Sequence, residues 1–175
     1  MKLKIKIKSP YEIKITSKGD WFDLKYVGED ITFDGFENVK TNYVDEQGKK
    51  HYKKRVTPKV QLLDLGVAMQ LPKGFEAIVA PRSSTPKHYG VLCANSIGII
   101  DNSYCGENDI WKFPAFVFNN KTIKYNDRIC QFRIQLSQKA TVLQKLKWLF
   151  TSGIKFQYVD KLENENRGGI GSTGK

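Results

Sequence analysis

One carboxylate, Asp101, stands where an apolar run gives way to a turn-like segment that holds an aromatic ring and a glycine. The run Gly98–Ile100 predicts a strand, and Tyr104 and Gly106 follow shortly after it. In a strand–turn–strand arrangement Asp101 and Tyr104 would project into one cleft, and Gly106 would let the backbone approach a ligand. A carboxylate in a cleft can act as a general base, and a flat ring can pack on a sugar or a base. The alternative for this segment alone is a polar hairpin tip.

An acidic pair lies in the stretch Gly19–Leu24. Strand residues alternate between faces, so only one of Asp20 and Asp23 is expected to face a site. A carboxylate oxygen of this kind suits magnesium, which keeps several waters and accepts few protein ligands. A turn aspartate at the start of a strand is the alternative.

The hydroxyl-rich stretch Ala80–Thr85 predicts an anion site. It follows a strand-like run, and Pro81 fixes the backbone where a turn begins. Arg82, Ser83 and Ser84, with the backbone N–H groups after them, would cradle an anion if the turn opens a short helix. A helix N-cap without a ligand is the alternative.

A polar side chain, Gln131, interrupts the strand-like run that follows the Asn-Asp turn at residues 126–127. It lies on a face that is otherwise apolar, so it needs a hydrogen-bond partner. That partner is either a substrate oxygen or another strand.

The sequence ends in a glycine-rich tail with phosphate-type donors. Its glycines leave backbone N–H groups free to wrap a phosphate chain, and Arg167, Ser172 and Thr173 add side-chain donors. The spacing is not that of a P-loop. Such a segment is either a disordered terminus or a lid that orders over bound ligand.

These residues need a scaffold that positions them. Short β-type runs separated by Gly, Pro, Asn and Asp predict an all-β domain, closed or double-sheeted, over residues 1–160. A polar, basic hairpin is predicted as an insert at about residues 31–59. The predicted strands are residues 2–8, 11–16, 21–27, 39–45, 51–57, 60–71, 75–80, 91–94, 97–100, 111–118, 128–136 and 154–159.

One helix and one arm complete the predicted organisation. Apolar residues recur at helical spacing from Val142 to Leu149 and predict one short amphipathic helix over about residues 141–152, with Gly153 ending it. Residues 161–175 hold too few apolar side chains to form a core and are predicted to be a flexible arm that closes over the site.

The net charge of +11 over 175 residues points to an anionic partner, either nucleic acid or a smaller polyanion such as a nucleoside triphosphate. The densest basic run, Lys49–Arg55, is interpreted as a solvated hairpin face, and charge alone does not decide the partner, although nucleic acid is the less expected one. The alternating Lys2–Lys8 segment does not have the pattern of an export signal, and no apolar run is long enough to span a bilayer. Three cysteines without CxxC spacing favour reduced thiols, so a cytoplasmic location is expected.

Together the polar blocks resemble the five motifs of the trimeric dUTPases (deoxyuridine triphosphate nucleotidohydrolases). The resemblance is strongest with the subgroup of low-GC Gram-positive bacteria and their phages. The order of Pro-Arg-Ser-Ser and Asp-x-x-Tyr-x-Gly makes it specific. The matching blocks are Gly19–Leu24, Pro81–Ser84, Asn95–Gly106, Asp127–Gln131 and Gly168–Gly174, and the connecting stretch Leu65–Gly74 matches as well.

The resemblance implies a distorted β jelly-roll barrel that assembles as a homotrimer, with each site built from several chains. It implies hydrolysis of dUTP to dUMP and pyrophosphate, with Asp101 activating the water that attacks the α-phosphorus. Tyr104 would pack on the deoxyribose, Asn95 would hydrogen-bond the uracil edge, and Asp23 would hold Mg²⁺ through water. The other implied substrate contacts are Arg82, Ser83, Ser84, Gly98, Ile100, Gln131, Arg167, Gly169, Ile170, Gly171, Ser172 and Thr173.

Two positions depart from the family pattern. The family's last motif carries a Phe that covers the base, whereas this chain has Ile170, which cannot stack as a ring does. Trp111 or its neighbour Ile110 is the predicted replacement. Arg167 also lies two positions closer to the Gly-Ser-Thr-Gly end than in the commoner pattern.

Two other functions stay open. A dCTP deaminase shares the architecture but needs an acid or base at C4 of the pyrimidine, and the Asp-x-x-Tyr block with the glycine-rich tail favours the hydrolase. A regulatory, protein-binding role on the same scaffold would use the insert and the helix, which the chemistry does not require. A nucleic-acid role for the insert is the weaker form of that hypothesis.

Overall fold

The computed structural model describes residues 1–15, 19–33, 39–55 and 59–169. Strands dominate, which confirms the all-β prediction, and no helix in these ranges is long and apolar enough to cross a membrane. In chain order the elements are β1 (Leu3–Lys8), β2 (Phe22–Lys25), β3 (Ile31–Thr32), β4 (Val39–Val44), β5 (Lys50–Arg55), β6 (Lys59–Asp64), β7 (Ala68–Gln70), β8 (Phe75–Pro81), α1 (Thr85–Tyr89), β9 (Val91–Cys93), β10 (Gly98–Asp101), β11 (Lys112–Val117), β12 (Thr122–Ile123), β13 (Arg128–Leu136), α2 (Val142–Leu149) and β14 (Ile154–Tyr158).

An antiparallel four-stranded sheet carries most of the predicted site. Its strand order is β10–β8–β13–β2, so β10 and β2 are its edges. Along β8, Phe75, Ala77 and Val79 point into the core while the residues between them face outward. The pairing of β13 with β2 shifts register between Arg128 and Cys130, which bends the sheet at this end.

The remaining strands form small separate sheets. Their orders are β14–β1–β7, β6–β11–β9, β12–β3 and β4–β5. Strands β1 and β14 run parallel, so the start of the chain is fixed by its last strand. The described strands do not close into one barrel, which corrects that detail of the predicted fold.

Aromatic rings join the sheets into one core. Phe132 of β13 stacks on Phe22 with ring centroids 5.2 Å apart and meets Trp111 edge-on at 5.3 Å. Phe156 of β14 lies 5.0 Å from Phe22 and closes the cluster from a second sheet. Each such contact contributes about 0.5–1.5 kcal/mol beyond burial. The cluster therefore stabilises the packing of the four-stranded sheet on its neighbour.

The described residues form two helices, whereas the predicted fold had one. The additional helix, α1, is the short helix that the anion-cradle prediction required: it follows the N-cap Ser84, has Pro86 in its first turn and ends at Gly90, whose φ is +63°. It is only five residues long. Apolar periodicity cannot reveal a helix of this length, because it spans little more than one turn.

Helix α2 confirms the helix predicted at residues 141–152, with the narrower bounds Val142–Leu149. Trp148 attaches it to the body by packing edge-on against Phe75 at 5.5 Å. None of its residues is buried, and Leu143 is 79% exposed. The helix therefore lies on the surface with most of its apolar side chains outward.

Two predicted strands differ from the structure. Residues 60–71 split into β6 and β7 because the chain bends at Gly66, where φ is +68° and a Cβ would lie 2.8 Å from Val27. Only glycine meets both demands. Within the described residues, the strand predicted at 11–16 reduces to an isolated bridge at Ile15.

The predicted insert is a hairpin of β4 and β5, which pair with each other and with no other strand in the described ranges. At its tip the Asp45 carboxylate accepts from the backbone N–H of Gln47 at 3.1 Å and of Lys49 at 2.8 Å. The ends of the predicted range belong to the main body, since Ile31–Thr32 pairs with β12 and Lys59 begins β6. In the described ranges the hairpin therefore shares no strand pairing with the other sheets, and its being an insert stays a prediction.

Candidate active site

Asp101 is the last residue of β10 and is paired across the sheet with Glu76 of β8. Beside it opens a cleft of about 810 Å³, a size that accommodates a nucleotide. The cleft is lined by Leu62, Asn95, Gly98, Ile99, Ile100, Asp101, Tyr104, Asn108, Lys112, Pro114, Arg167, Gly168 and Gly169.

Both oxygens of the Asp101 carboxylate are hydrogen-bonded. Oδ1 accepts from the backbone N–H of Ser103 at 2.8 Å and from the Ser103 hydroxyl, and Oδ2 accepts from Nη1 of Arg167 at 2.6 Å. Partial burial alone would raise the pKa of Asp101, but Ser103 and Arg167 outweigh burial and lower that pKa. The carboxylate is therefore ionised at neutral pH, as a general base must be.

Tyr104 lies on the wall of the same cleft, as the spacing predicted. Its backbone N–H donates to the carbonyl of Asp101 at 3.2 Å, and its hydroxyl donates to the carbonyl of Ile110 at 3.0 Å. Burial raises the pKa of the Tyr104 hydroxyl, so the group stays protonated and keeps this bond. The ring is thus anchored at both ends.

Several other predicted substrate contacts meet at this cleft. Asn95 stands in the tight turn after β9, where its side-chain oxygen accepts from the thiol of Cys93 at 3.0 Å. The predicted residues that line the cleft are Asn95, Gly98, Ile100, Tyr104, Arg167 and Gly169. Four predicted residues lie outside the described ones, namely Ile170, Gly171, Ser172 and Thr173. Contact of any of them with a substrate stays a prediction.

The cleft also holds residues that the sequence reasoning missed, among them Leu62, Lys112 and Pro114. On β11 the odd-numbered positions are buried, so the even-numbered residues face outward. This alternation was already visible in the sequence, because every second residue from Phe113 to Val117 is apolar. It places Lys112 and Pro114 on the opposite face.

Trp111 does not line the cleft. Its side chain is 0% exposed and packs edge-on against Phe132 in the core. A ring without exposed surface cannot cover a bound base, so the prediction that Trp111 replaces the missing Phe is wrong. Ile110 contributes its backbone carbonyl to Tyr104. The strand alternation that buries Phe113 also directs position 111 inward.

The first part of the arm (residues 161–175) packs on the loop after Asp101. Leu162 is buried, and the side-chain oxygen of Asn166 accepts from the backbone N–H of Asn108 at 2.7 Å. A Cβ on Gly106 would lie 2.7 Å from the backbone nitrogen of Asn166. The arm therefore makes the close approach that the sequence assigned to a ligand.

A second charged cluster lies on the other edge of the four-stranded sheet. The Asp23 side chain, 11% exposed, is held between two arginines, with Nε of Arg82 3.0 Å from Oδ1 and Nη1 of Arg128 3.0 Å from Oδ2. Arg82 also donates to the backbone carbonyl of Arg128 at 3.3 Å. Two guanidinium groups beside one carboxylate leave positive charge in excess, which suits an anion.

The predicted anion cradle adjoins this cluster. Gln131 pairs in register with Asp23, and its Nε2 lies 3.5 Å from the carbonyl oxygen of Pro81. Ser84 takes the N-cap position of α1 without a side-chain capping bond, and Ser83 beside it is exposed. The structure thus groups five predicted residues at this edge: Asp23, Arg82, Ser83, Ser84 and Gln131.

The two clusters occupy opposite corners of the sheet. Asp101 lies on the edge strand β10 and Asp23 on the edge strand β2. Along β8, Glu76 is the partner of Asp101. Ala80, four positions further, is the partner of Gln131, which in turn pairs with Asp23. A strand spacing of about 4.8 Å and a rise of about 3.3 Å per residue place the Cα atoms of the two residues about 20 Å apart.

A family model for dUTPase matches residues 51–174, more than half of the 175 residues. The chain belongs to the dUTPase family. The matched span contains Asp101, its cleft and the anion cradle, whereas Asp23 precedes it.

Curated relatives match this dUTPase over much of its length. An SPbeta prophage-derived deoxyuridine 5′-triphosphate nucleotidohydrolase of Bacillus subtilis (strain 168) is 41% identical over 176 aligned positions, which cover 99% of each chain. The deoxyuridine 5′-triphosphate nucleotidohydrolase of Finegoldia magna is 33% identical, over 65% of this chain and 70% of its own. That of Escherichia phage T5 is 31% identical, over 65% and 68%. These relatives do not favour the deaminase alternative.

Solved dUTPase structures share the fold. The dUTPase from Streptococcus mutans has a TM-score of 0.54 at 18% identity, over 74% of this chain and 88% of its own. The dUTPase of Staphylococcus bacteriophage 80alpha has a TM-score of 0.55 at 13% identity, over 79% and 93%. A variant of the dUTPase from phage phi11 of S. aureus has a TM-score of 0.53 at 12% identity, over 79% and 94%. These likenesses confirm the dUTPase-type jelly-roll fold.

The phi11 structure shows the coordination of a structural Mg(II) ion, and Asp23 is the predicted magnesium ligand of this dUTPase. Both oxygens of Asp23 already lie 3.0 Å from arginine nitrogens, so a cation there would meet two fixed positive charges. In the ranges that the structure describes, no three His, Cys, Asp or Glu side chains converge on a point that could hold a metal ion. The Asp23 carboxylate is therefore not arranged to hold a metal ion directly, and the predicted contact through water stays a prediction.

Proposed function

We propose that this dUTPase hydrolyses dUTP to dUMP and pyrophosphate. The observation that carries the proposal is an ionised carboxylate, Asp101, beside a nucleotide-sized cleft whose wall holds the anchored ring of Tyr104. Relatives named deoxyuridine 5′-triphosphate nucleotidohydrolases supply the choice of substrate.

Asp101 is proposed as the general base for the water that attacks the α-phosphorus. Ser103 fixes the orientation of its carboxylate, and Arg167 engages Oδ2. The oxygens of a triphosphate compete for the same guanidinium, because phosphate accepts charge-assisted hydrogen bonds from arginine. When Arg167 moves to the phosphate, Oδ2 is free to take the proton of the water. The pKa of Asp101 rises at the same moment, which makes the carboxylate a stronger base.

Tyr104 and Asn95 are proposed to select the nucleoside. The hydroxyl of Tyr104 is tied to Ile110, so the ring cannot retreat from a ribose 2′-OH, and a deoxyribose is favoured. Asn95 lies on the same cleft and offers a side-chain amide to the uracil edge. The anchored Tyr104 ring would thus exclude a ribose 2′-OH sterically.

The cluster around Arg82 is proposed to bind the phosphates of a substrate that reacts at Asp101 of another chain. Within one chain the separation of about 20 Å keeps the two clusters from touching one phosphate group. A homotrimer with its sites between chains brings one cluster of each kind together. Arg82 and Arg128 would then neutralise phosphate charge, and no residue of this chain is assigned to Mg²⁺.

An exposed apolar face beside the cleft supports this assembly. Val60 of β6 is 56% exposed and Leu92 of β9 is 45% exposed, on either side of Phe116 of β11. Leu62 and Pro114 continue the face into the cleft. Contiguous apolar surface of this kind is typical of a face that another chain covers.

A pyrophosphate-release assay tests the proposed reaction. The protein is incubated with dUTP, dTTP, dCTP and UTP in separate reactions, each with and without Mg²⁺. We expect pyrophosphate from dUTP with a kcat/KM about 10²-fold or more above that for UTP and dTTP. Ammonia from dCTP without pyrophosphate would identify a deaminase, and absence of dUTP turnover would overturn the proposal.

We also propose a second role, docking of a protein partner through the hairpin of β4 and β5. The hairpin pairs with no other strand of the described chain, so the sheets do not need it. Its basic run Lys49–Arg55 suits an acidic protein surface. The 80alpha dUTPase, a structural neighbour, is one of the phage dUTPases that control transfer of virulence genes by a proto-oncogenic G protein-like mechanism.

Deletion of residues 45–57 separates docking from a structural role. We expect the deleted protein to keep its dUTP turnover within about 2-fold and its oligomeric state in analytical ultracentrifugation, because surface changes away from the core have small effects. Loss of assembly would show that the hairpin holds the chains together and would contradict the docking role.

A further inference from the structure

Asp109 is a buried carboxylate that the proposed chemistry does not use. It is 1% exposed, and it lies on the loop that leads from β10 to β11, the loop that also carries Tyr104. Burial of a carboxylate is costly unless hydrogen bonds compensate for lost water. The hydrogen-bond donors around Asp109 therefore indicate the role of its side chain.

Backbone N–H groups from two distant segments surround Asp109. Oδ2 accepts from the N–H groups of Gly106 and Arg167, both at 2.9 Å, and Oδ1 accepts from the N–H of Gly168 at 3.1 Å. Gly106 belongs to the loop, whereas Arg167 and Gly168 belong to the arm. Burial alone would raise the pKa of Asp109, but these donors outweigh burial and lower it. The ionised carboxylate therefore joins the loop to the arm.

The backbone around Asp109 is shaped for this junction. Gly168 has a φ of +85°, which turns the chain so that the consecutive N–H groups of Arg167 and Gly168 reach one carboxylate. On the other side, the N–H of Asn108 donates to the side chain of Asn166 at 2.7 Å. A Cβ on Gly106 would lie 2.6 Å from Cα of Asn166, so the loop has no room for a larger residue there.

The junction leads directly to the proposed general base. The backbone of Arg167 is held by Asp109, and its side chain reaches Oδ2 of Asp101 at 2.6 Å. Gly168 and Gly169, the next residues, line the cleft. The carboxylate of Asp109 thus fixes the point at which the arm enters the site.

We propose that Asp109 is a positioning residue that clamps the arm onto the β10–β11 loop and so places the Arg167 side chain for the bound triphosphate. The identity of that triphosphate rests on the proposed function, whereas the clamp does not. Asp109 acts only through the backbone groups that it holds. Misplacement of a substrate-binding group by about 1 Å costs on the order of 10²-fold in rate.

Asp109→Asn and Glu107→Gln form a matched pair for the test. Asparagine keeps the size of the side chain but turns an NH₂ group toward N–H donors, so at least one clamp bond is lost. Glu107 lies on the same loop but forms its salt bridge with Lys8, and its electrostatic interaction with the arm is with Lys161, six positions before Arg167, so Glu107→Gln is the control.

Two measurements on the full-length protein report whether the clamp holds the arm on the loop. The first is the rate of tryptic cleavage after Arg167, followed by mass spectrometry without substrate, which reports how often the arm is released. The second is the pair kcat and KM for dUTP. For Asp109→Asn we expect cleavage about 10-fold faster and kcat/KM about 10–100-fold lower, with the control within about 2-fold of the parent protein.

Gly106→Ala opens the same junction from the other side and leaves the carboxylate intact. Its Cβ would collide with the backbone of Asn166, so we expect the same two changes, also where Asp109→Asn does not fold. The double variant of Asp109→Asn and Arg167→Ala should have a kcat/KM less than about 3-fold below that of Arg167→Ala alone, because Asp109 acts through Arg167.

Three outcomes would contradict the proposed clamp or its action through Arg167. Unchanged cleavage and kinetics in Gly106→Ala would remove the clamp, and the same result in a folded Asp109→Asn would do so as well. Fully additive losses in the double variant would show that Asp109 does not act through Arg167. Faster cleavage after Arg167 in a protein that does not hydrolyse dUTP would uphold the clamp and overturn the proposed function alone.

Discussion

The guanidinium of Arg167 lies 2.6 Å from the carboxylate of Asp101, although 66 positions separate the two residues in sequence. This ion pair connects the arm to the proposed general base. Because a bound triphosphate competes for the same arginine, substrate binding and the basicity of Asp101 are coupled.

The first prediction concerns the pH dependence of Arg167→Ala. Burial alone would raise the pKa of Asp101, and Arg167 helps Ser103 to lower it. Without the arginine that pKa rises. A carboxylate is ionised above its pKa, so the acid limb of the kcat/KM profile should move to higher pH, measured from about pH 3 to pH 8.

The control for that profile is Lys155→Gln, which removes an exposed cation from β14. We expect its acid limb to coincide with that of the parent protein. An Arg167→Ala limb that stays in place, or moves to lower pH, would show that Asp101 is not the titrating base.

The second prediction is that Asp101→Asn separates turnover from binding. The amide keeps the size of the side chain but cannot accept a proton from water, so kcat should fall about 10²–10⁴-fold. The affinity for dUTP, measured by calorimetry, should change by less than about 3-fold. Ser103→Ala keeps the base and should cost far less. A kcat near that of the parent protein would sink the proposed mechanism.

The third prediction tests whether each site lies between chains. Asp101→Asn and Arg82→Ala should each be inactive, because each removes one cluster. Unfolded together in equal amounts and refolded, they should regain activity, since about one quarter of randomly mixed sites would hold both intact clusters.

The matched control mixes Asp101→Asn with Tyr104→Ala, two changes on one cluster. This mixture should regain nothing, because no site then combines two intact clusters. Equal recovery in both mixtures, or none in the first, would contradict the arrangement of sites across chains.

The fourth prediction separates the two roles of Asp23. If Asp23 orients Arg82, Asp23→Asn should raise the KM for dUTP about 10-fold at every Mg²⁺ concentration. The Mg²⁺ concentration that gives half-maximal activity should stay within about 2-fold. A rise of that concentration with an unchanged KM would assign Asp23 to the metal instead.

The fifth prediction is that Trp111 contributes stability and does not contact substrate. Trp111→Ala should lower the free energy of unfolding by about 3–5 kcal/mol, because it empties a fully buried position beside Phe132. The KM for dUTP, measured well below the unfolding temperature, should be unchanged. Leu149→Ala, on the exposed face of α2, should alter stability by less than about 0.5 kcal/mol. A changed KM for dUTP without loss of stability would support the original prediction that Trp111 covers the bound base.

Local patterns in the sequence predicted what depends on local structure. The strands around Asp101 and Gln131 follow from alternating apolar residues, and the position of Tyr104 follows from its turn. Helix α1 was expected only as a condition of the anion cradle, because a helix of little more than one turn shows no apolar periodicity. Trp111 was misplaced although the alternation from Phe113 onward already pointed it inward.

By itself, the sequence determined the all-β class, the family and the two sets of polar residues, because residue type and spacing are local properties that the chain carries unfolded. Only the tertiary structure decided that Asp101 and Asp23 stand at opposite corners of one sheet and that Asp109 joins a loop to an arm 58 positions away. Strand order and arm docking come from pairing between distant segments. The arm contributes to the clamp only through backbone N–H groups, which every residue except proline carries. The residue types of the arm therefore do not predict the clamp.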